Sequence, residues 1–301
     1  SGRKLPHQGY IGSMRGPWQK LRATFQEHAT PEENKTMADS PDSAPDSLAH
    51  AASTFSAISA VRVGDPFIWL AKGFSDLRAA PLASLFYGVA FALMGWAIVF
   101  FYGNAYSLTV ALMGGFMLLG PGLAMGLYSL SRQRELGETP QLRSSLTIWQ
   151  ANISNLSIYA LVTGVVFLIW ARASLVVFAV FYSSGLPDAA DFFRELLAFQ
   201  NVEFVIAYVV IGSGFATLVF SISVVAVPLM LDRKEDAVTA MLLSLVTVTR
   251  NPLPMLVWAA LIVVLAGIGF ATAFLGLIVA IPILGHSTWH AYRAMIPPQK
   301  A

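Results

Sequence analysis

Two histidines near the end of the chain are the side chains best placed to bind a metal ion or a haem. His286 and His290 stand four residues apart, on one face of one predicted helix. This spacing suits a two-histidine metal site completed by Asp232, or a haem held by one histidine and one methionine. It excludes a bis-histidine haem and a three-histidine copper centre within this chain, because no other predicted span contains a histidine. We favour a simpler interpretation, a belt of amphipathic rings with Trp289 and Tyr292 at the membrane surface, and predict neither a metal nor a cofactor.

Arg172 is the only formal charge inside a predicted membrane span. A charge at that depth costs about 2.5–3.5 kcal/mol on insertion scales. Its place near the outer end of the span favours a side chain that reaches the outer surface. The alternatives are a pair with Asp188 or Asp191, or contact with an anion. The predicted spans contain no Asp, Glu or Lys, which disfavours a proton-driven transporter.

The composition is that of a membrane protein. Hydrophobic residues make up 56% of the 301 residues and charged residues only 12%, and mean hydropathy is +0.63. A soluble domain carries about 25% charge. The balance of 19 basic and 17 acidic residues excludes a strongly basic nucleic-acid binder. The chain has no cysteine, no Walker A loop and no nucleophile elbow, so we predict that it is not an enzyme.

Long apolar runs begin at residue 82, and a spanning helix needs about 20 such residues. They predict an all-α fold, a polytopic bundle of six transmembrane helices. The predicted spans are Leu82–Tyr102, Ser107–Leu130, Leu156–Phe178, Phe204–Leu231, Leu253–Phe270 and Ala273–Tyr292.

The chain divides into three regions by composition. Residues 1–60 are rich in Ser, Pro, Asp, Glu and Ala, which predicts a polar, disordered N-terminal arm. Within it, Met37 opens a stretch typical of a natural start. Residues 61–296 form the six-span membrane domain, and residues 297–301 are a short tail.

Basic residues predict the orientation of the spans. They lie before the first span and after the second, fourth and sixth, for example Arg78, Arg134, Arg233 and Arg293. The opposite loops are uncharged or acidic. Both termini are therefore expected in the cytoplasm.

Three similar units follow one another in the membrane domain. Each has a short amphipathic helix, expected in the membrane interface, followed by a transmembrane hairpin. A proline that should kink the second helix occurs in each hairpin, at Pro121, Pro228 and Pro282. Repeats of this kind suit transporters and also passive scaffolds.

Small residues mark two faces for close helix packing. One is Gly122-x-x-x-Gly126, beside the proline of the second span, and the other is Gly212-x-x-x-Ala216. We favour packing within the bundle over a dimer interface.

Several short motifs resemble those of the bacterial integral membrane proteins grouped as domain of unknown function 2189. They are Asp65-Pro66-x-x-Trp69-Leu70-x-x-Gly73-x-x-Asp76-Leu77, Pro81, Tyr87-Gly88, Gly120-Pro121-x-x-Ala124-x-Gly126-Leu127-Tyr128, Asp232-Arg233, Asn251-Pro252 and His286-x-x-Trp289-His290-x-Tyr292-Arg293. The resemblance implies a multi-pass protein of the bacterial inner membrane. That family has no established activity. Some members carry the label of a cytochrome c oxidase, but the ligands for a catalytic haem–copper centre are missing here.

Three functions follow as hypotheses. The first is a non-catalytic accessory or assembly subunit of a larger, respiratory membrane complex, in contact with lipid and with protein partners and without nucleic acid. The second is a transporter or channel for a small solute or ion. The third is a membrane enzyme or haem protein that uses His286 and His290.

Overall fold

The computed structural model describes residues 58–102, 106–182, 201–233 and 235–298. The described residues form helices and connecting turns, with no strand among them. The helices are α1 Asp65–Ala79, α2 Pro81–Tyr102, α3 Tyr106–Glu135, α4 Leu142–Thr147, α5 Ile153–Phe181, α6 Val202–Ser223, α7 Ala226–Arg233, α8 Ala237–Arg250, α9 Pro252–Ala271 and α10 Leu277–Met295, and a 3-10 turn, Ile148–Asn152, joins α4 to α5. The predicted all-α fold is therefore confirmed. The predicted arm and the pairing partners of Arg172 lie outside the described residues.

Four stretches of the described chain are long and apolar enough to cross a membrane: Pro81–Phe101, Leu142–Phe181, Val202–Arg233 and Pro252–Ala271. Their surfaces are apolar, as a lipid solvent requires. Leu168 on α5, Val210 on α6 and Val263 on α9 are each more than 60% exposed. The predicted spans Ser107–Leu130 and Ala273–Tyr292 fall on α3 and α10, which are not among these four stretches.

Helix α10 begins four residues later than the predicted sixth span. Ala273 and Phe274 have φ angles of 53° and 68°, in the left-handed region that interrupts a helix. The indole of Trp96 on α2 donates a hydrogen bond to the Ala273 carbonyl oxygen at 2.7 Å. The connection from α9 to α10 is therefore a short, anchored turn.

The buried core lies where α1, α7, α8 and α10 meet the C-terminal half of α3 and the N-terminal half of α9. Trp69 and Trp258 pack edge to face there, with their ring centroids 5.9 Å apart. The largest buried side chains around them are Trp289, Tyr292, Met125, Leu229, Met230 and Leu243. By contrast, only 6% of the most apolar window of α5 is buried. Packing is thus concentrated at one end of the helices.

Glycines let α10 approach its neighbours closely. A Cβ atom at Gly73 on α1 would lie 2.1 Å from the Ser287 hydroxyl oxygen, and one at Gly88 on α2 would lie 2.0 Å from the Ile278 carbonyl oxygen. Gly285 on α10 faces Leu127 of α3 in the same way. These positions have no room for a side chain.

Ser244 of α8 bridges the interruption between α6 and α7. The interruption falls at Val224 and Val225, just before Pro228 in the first turn of α7. The Ser244 hydroxyl accepts a hydrogen bond from the Val225 amide at 3.1 Å and donates one to the Ser221 carbonyl at 2.7 Å. Backbone groups freed by the break are therefore satisfied inside the protein.

Candidate functional site

A buried carboxylate, Asp76, organises the polar end of the structure. It lies one turn from the end of α1, and its side chain is 7% exposed. It accepts hydrogen bonds from the Ser131 hydroxyl at 2.7 Å and from His290 Nε2 at 2.8 Å. The Arg134 guanidinium is paired with its other oxygen. One residue of α1 thus joins α3 to α10 through three partners.

His286 continues this chain of hydrogen bonds into the core. It is 1% exposed, and its Nδ1 and Nε2 atoms lie 2.7 Å and 2.9 Å from the hydroxyls of Ser131 and Ser84. Since Ser131 gives its single proton to the Asp76 carboxylate, its oxygen must accept the proton of His286 Nδ1. His286 Nε2 can then accept from Ser84. The bonds therefore run in one direction, from Ser84 to Asp76.

A second carboxylate, Asp232 at the end of α7, binds a neighbouring part of α10. Arg293 donates to both of its oxygens, at 2.8 Å and 3.1 Å, and the Tyr292 hydroxyl donates at 2.7 Å. The same guanidinium bonds Glu135 of α3 at 3.0 Å. A bidentate arginine of this kind fixes orientation as well as supplying attraction. Helices α3, α7 and α10 are thereby joined.

The structure does not bring Asp232 to the two histidines, the arrangement that the alternative of a metal site requires. Asp232 is bonded to Arg293 and Tyr292, while the histidines belong to the Asp76 cluster. Both ring nitrogens of His286 are occupied by serine hydroxyls. In the part of the chain that the structure describes, no group of three or more His, Asp or Glu side chains could hold a metal ion.

The predicted belt of rings at the membrane surface is wrong for its main members. His286, Trp289 and Tyr292 are at most 1% exposed. The Trp289 indole donates to Glu135 at 2.9 Å instead of facing lipid headgroups. Helix α1 covers this face of α10, because the absence of a side chain at Gly73 brings the two backbones together.

Protonation of Asp76 in acid should lower the stability of the folded protein. Burial alone raises the pKa of this carboxyl, but hydrogen bonds from His290 and Ser131 and the nearby positive charges outweigh burial and hold the pKa below 3.8. The Asp76 carboxyl therefore binds a proton more readily in the unfolded chain than in the folded protein. Its contribution to stability is present above about pH 4 and is lost as the pH falls through the pKa that Asp76 has in the folded protein. Melting temperatures between about pH 6 and pH 3 should fall for the wild type, and less steeply for Asp76→Asn. Parallel curves would contradict this assignment.

A second candidate site is a cavity of about 290 Å³ among the spans. Every one of the six predicted spans contributes to its wall, through Phe91, Pro121, Tyr159, Phe220, Ile262 and Thr288. Four hydroxyls lie at this wall, those of Tyr128, Tyr159, Ser223 and Thr288. Tyr159 donates to Ser223 at 2.7 Å. None of the described residues that line the cavity is charged, so this lining offers hydrogen bonds without an ionic partner.

The structure brings some of the residues selected from sequence to this cavity. Pro121 lines it within an uninterrupted α3, and the break before Pro228 adds Val224 and Val227. Pro282 is buried inside α10. Arg172 is exposed on α5 and has no partner among the described residues.

The small-residue faces differ from each other. A Cβ atom at Gly126 would lie 2.1 Å from the Tyr87 hydroxyl oxygen, so α2 and α3 approach closely there. At Gly122 and Gly212 the nearest atoms to such a Cβ would be 4.0 Å away. Gly212 and Ala216 line an open apolar groove of about 380 Å³ between α5 and α6.

Sequence reasoning assigned no role to Asp76, Ser131 or Ser84. Asp76 and His290 are 214 residues apart, so local spacing cannot pair them. A usable signal was present, because Asp76 lies on the same face of α1 as Trp69 and Gly73, both of which are buried. An acidic residue on a buried helix face requires a partner.

The apolar exposed helices, with a polar network buried at one end, define an α-helical, multi-pass integral membrane protein. A family model described as "Predicted integral membrane protein (DUF2189)" matches residues 108–232, from α3 to the end of α7. The match confirms the resemblance to this family that the sequence motifs indicated. No curated protein and no solved structure matches the chain.

Proposed function

We propose that this protein is a pathway through the bacterial inner membrane for a small, uncharged polar solute, and that it carries out no chemical conversion. The observation that supports the proposal is the cavity of about 290 Å³, to which all six predicted spans contribute. Ligand sites in membrane transport proteins are typically placed between spans and beside interrupted helices. Here the α6–α7 break and Pro121 both border the cavity.

The proposal includes six crossings in three hairpin units, with both termini in the cytoplasm. In this arrangement α3 and α10 span the membrane together with α2, α5, α6–α7 and α9. The basic residues Arg78, Arg134, Arg233 and Arg293 then lie on one side, which is the cytoplasmic side by the positive-inside rule.

The lining of the cavity favours an uncharged polar solute over an ion. The wall carries four hydroxyl oxygens that can accept hydrogen bonds, although the proton of Tyr159 is given to Ser223 and that of Thr288 to the Leu284 carbonyl. Among the described residues, no carboxylate, ammonium or guanidinium group lines the wall. An ion there would lose its hydration without gaining a countercharge. Glycerol and urea are suitable probes of this class.

Filling the cavity should stop transport. Gly120 lines the cavity, and a Cβ atom there would meet nothing within 4 Å, so Gly120→Phe has room for its Cβ atom and places a ring at the cavity wall. Liposomes with the wild-type protein should swell faster in glycerol than protein-free liposomes, and Gly120→Phe should return the rate to that of protein-free liposomes. The matched control is Gly214→Phe, at an exposed position of α6 that is equally open.

Two results would refute this function. One is wild-type liposomes that swell in glycerol and in urea no faster than empty ones. The other is an equal loss of flux in the Gly120→Phe and Gly214→Phe variants.

A second candidate is the accessory or assembly subunit of a larger, respiratory membrane complex related to cytochrome oxidase. The groove between α5 and α6 supports it, because Gly212 and Ala216 leave room at an apolar surface where a partner's transmembrane helix can pack. Native mass spectrometry after gentle extraction at endogenous levels should find a larger assembly. Gly212→Leu should release the partner, while Gly267→Leu, at an open and exposed site on α9, should not. Migration of the wild type as a lone protein would count against this candidate.

A further inference from the structure

We propose that the pocket between α1, the end of α3 and α10 binds the phosphate headgroup of an anionic phospholipid. The pocket has a volume of about 440 Å³ and is distinct from the hydroxyl-lined cavity. Its wall carries Lys72 and Ser75 of α1, Arg134 of α3 and Arg293 of α10, together with Asp76, Glu135, Ser131 and His290.

The charges at this pocket leave one cation unmatched. Asp76 is bonded by Ser131, His290 and Arg134, and Glu135 by Trp289 and Arg293. Arg134 is thus paired with Asp76, and Arg293 with Glu135 and Asp232, so these carboxylates already have cationic partners. Lys72 has no hydrogen bond or ion pair among the described residues, and it is exposed at the pocket mouth. An anion is the ligand that completes this arrangement.

Arg134 is positioned to share that anion with Lys72. Its guanidinium is paired with Asp76 and donates from both terminal nitrogens to the Ser75 hydroxyl at 3.1 Å. The side chain is nonetheless 40% exposed. Since a guanidinium has five N–H donors in one plane, part of its donor edge stays available for a phosphate oxygen.

The exposed face of α1 favours a lipid phosphate over a free one. Ile68, Lys72 and Ser75 follow each other at intervals of one turn on that face. Phe67 and Ile68 are each more than 50% exposed, and Phe74 is 40% exposed. Rings and branched chains beside a lysine are typical of a helix that lies in the membrane interface. A ligand bound at Lys72 therefore meets apolar side chains, which suit the glycerol backbone and upper acyl chains of a phospholipid.

The test uses the purified full-length protein in mixed micelles that contain either phosphatidylglycerol or phosphatidylcholine. Native mass spectrometry measures the fraction of protein that retains one lipid. Lys72→Gln should lower the affinity for phosphatidylglycerol about fivefold, as expected for one lysine near an anionic lipid. Arg78→Gln is the matched control, because its guanidinium lies over the Phe74 ring, at 4.3 Å, and does not line the pocket.

The outcomes separate the sources of the anion. The proposal is supported if the wild type retains phosphatidylglycerol in preference to phosphatidylcholine, if Lys72→Gln loses this preference and if Arg78→Gln keeps it. Displacement of the lipid by inorganic phosphate at equal concentration assigns the pocket to a free anion and overturns the lipid assignment. Equal losses in the two variants, or equal retention of the two lipids, also overturn it.

Discussion

Asp76→Ala is expected to lower the free energy of unfolding by about 3–5 kcal/mol, the usual cost of removing one partner from a buried charged network. The substitution leaves Ser131 without its acceptor and leaves the Arg134 guanidinium beside an apolar methyl group. It also releases His290, so α1 loses its polar attachment to α10 at that point and keeps only the Arg134–Ser75 hydrogen bonds to α3. For a chain of this size, the melting temperature of the detergent-solubilised protein should fall by roughly 10 °C.

Glu138→Ala is the matched control for this prediction. Glu138 is an exposed carboxylate in the connection that follows α3. Surface substitutions of this kind usually change stability by less than about 0.5 kcal/mol. If both variants melted at the wild-type temperature, Asp76 would not hold α1 in place and the cluster would have no structural role.

Gly88→Ala is expected to have an effect of similar size for a different reason. A single methyl group at this position would lie 2.0 Å from the Ile278 carbonyl oxygen and 2.8 Å from its Cα atom. Both are backbone atoms, so no rotamer change can relieve the overlap, and α2 must move away from α10. The cost should be about 3 kcal/mol or more, at the upper end of the range for overpacked cores. Size-exclusion chromatography in detergent should show a loss of monodisperse protein, and the remainder should melt at a lower temperature.

The same substitution at Gly214 separates a clash from a general effect of helix glycines. A Cβ atom at Gly214 would meet nothing within 4 Å. Alanine favours the helix there by up to about 1 kcal/mol, so Gly214→Ala should melt at or above the wild-type temperature. A Gly88→Ala variant as stable as Gly214→Ala would be incompatible with the close approach of α2 and α10.

The helices were predictable from the sequence because apolar runs and short amphipathic stretches are local signals. Their order and approximate bounds follow from residue types within a few turns. The start of α10 was not predictable in this way, because the left-handed conformations of Ala273 and Phe274 form where Trp96 of α2 holds the turn. Neither alanine nor phenylalanine is a residue type that favours this conformation, so the local sequence does not indicate it.

The candidate site was less predictable because its contacts join distant parts of the chain. The sequence singles out the histidine pair and leaves open, as an alternative, a metal site completed by Asp232. The structure supplies Asp76 of α1 instead, and Asp232 bonds Arg293. A spacing of four residues places two rings on one face of a helix. Which helix covers that face depends on the packing at Gly73, and this is a property of the whole fold.

The uneven packing of the molecule has a consequence for its handling outside the cell. Buried side chains hold together the polar end of the structure, around Asp76 and Asp232, whereas only 6% of the most apolar window of α5 is buried. Lateral pressure from lipid tails must therefore confine α5 over much of its length. Extraction replaces the lipid bilayer with a detergent micelle that exerts less lateral pressure. Short-chain detergents should therefore loosen α5, while the polar end of the structure keeps its native contacts.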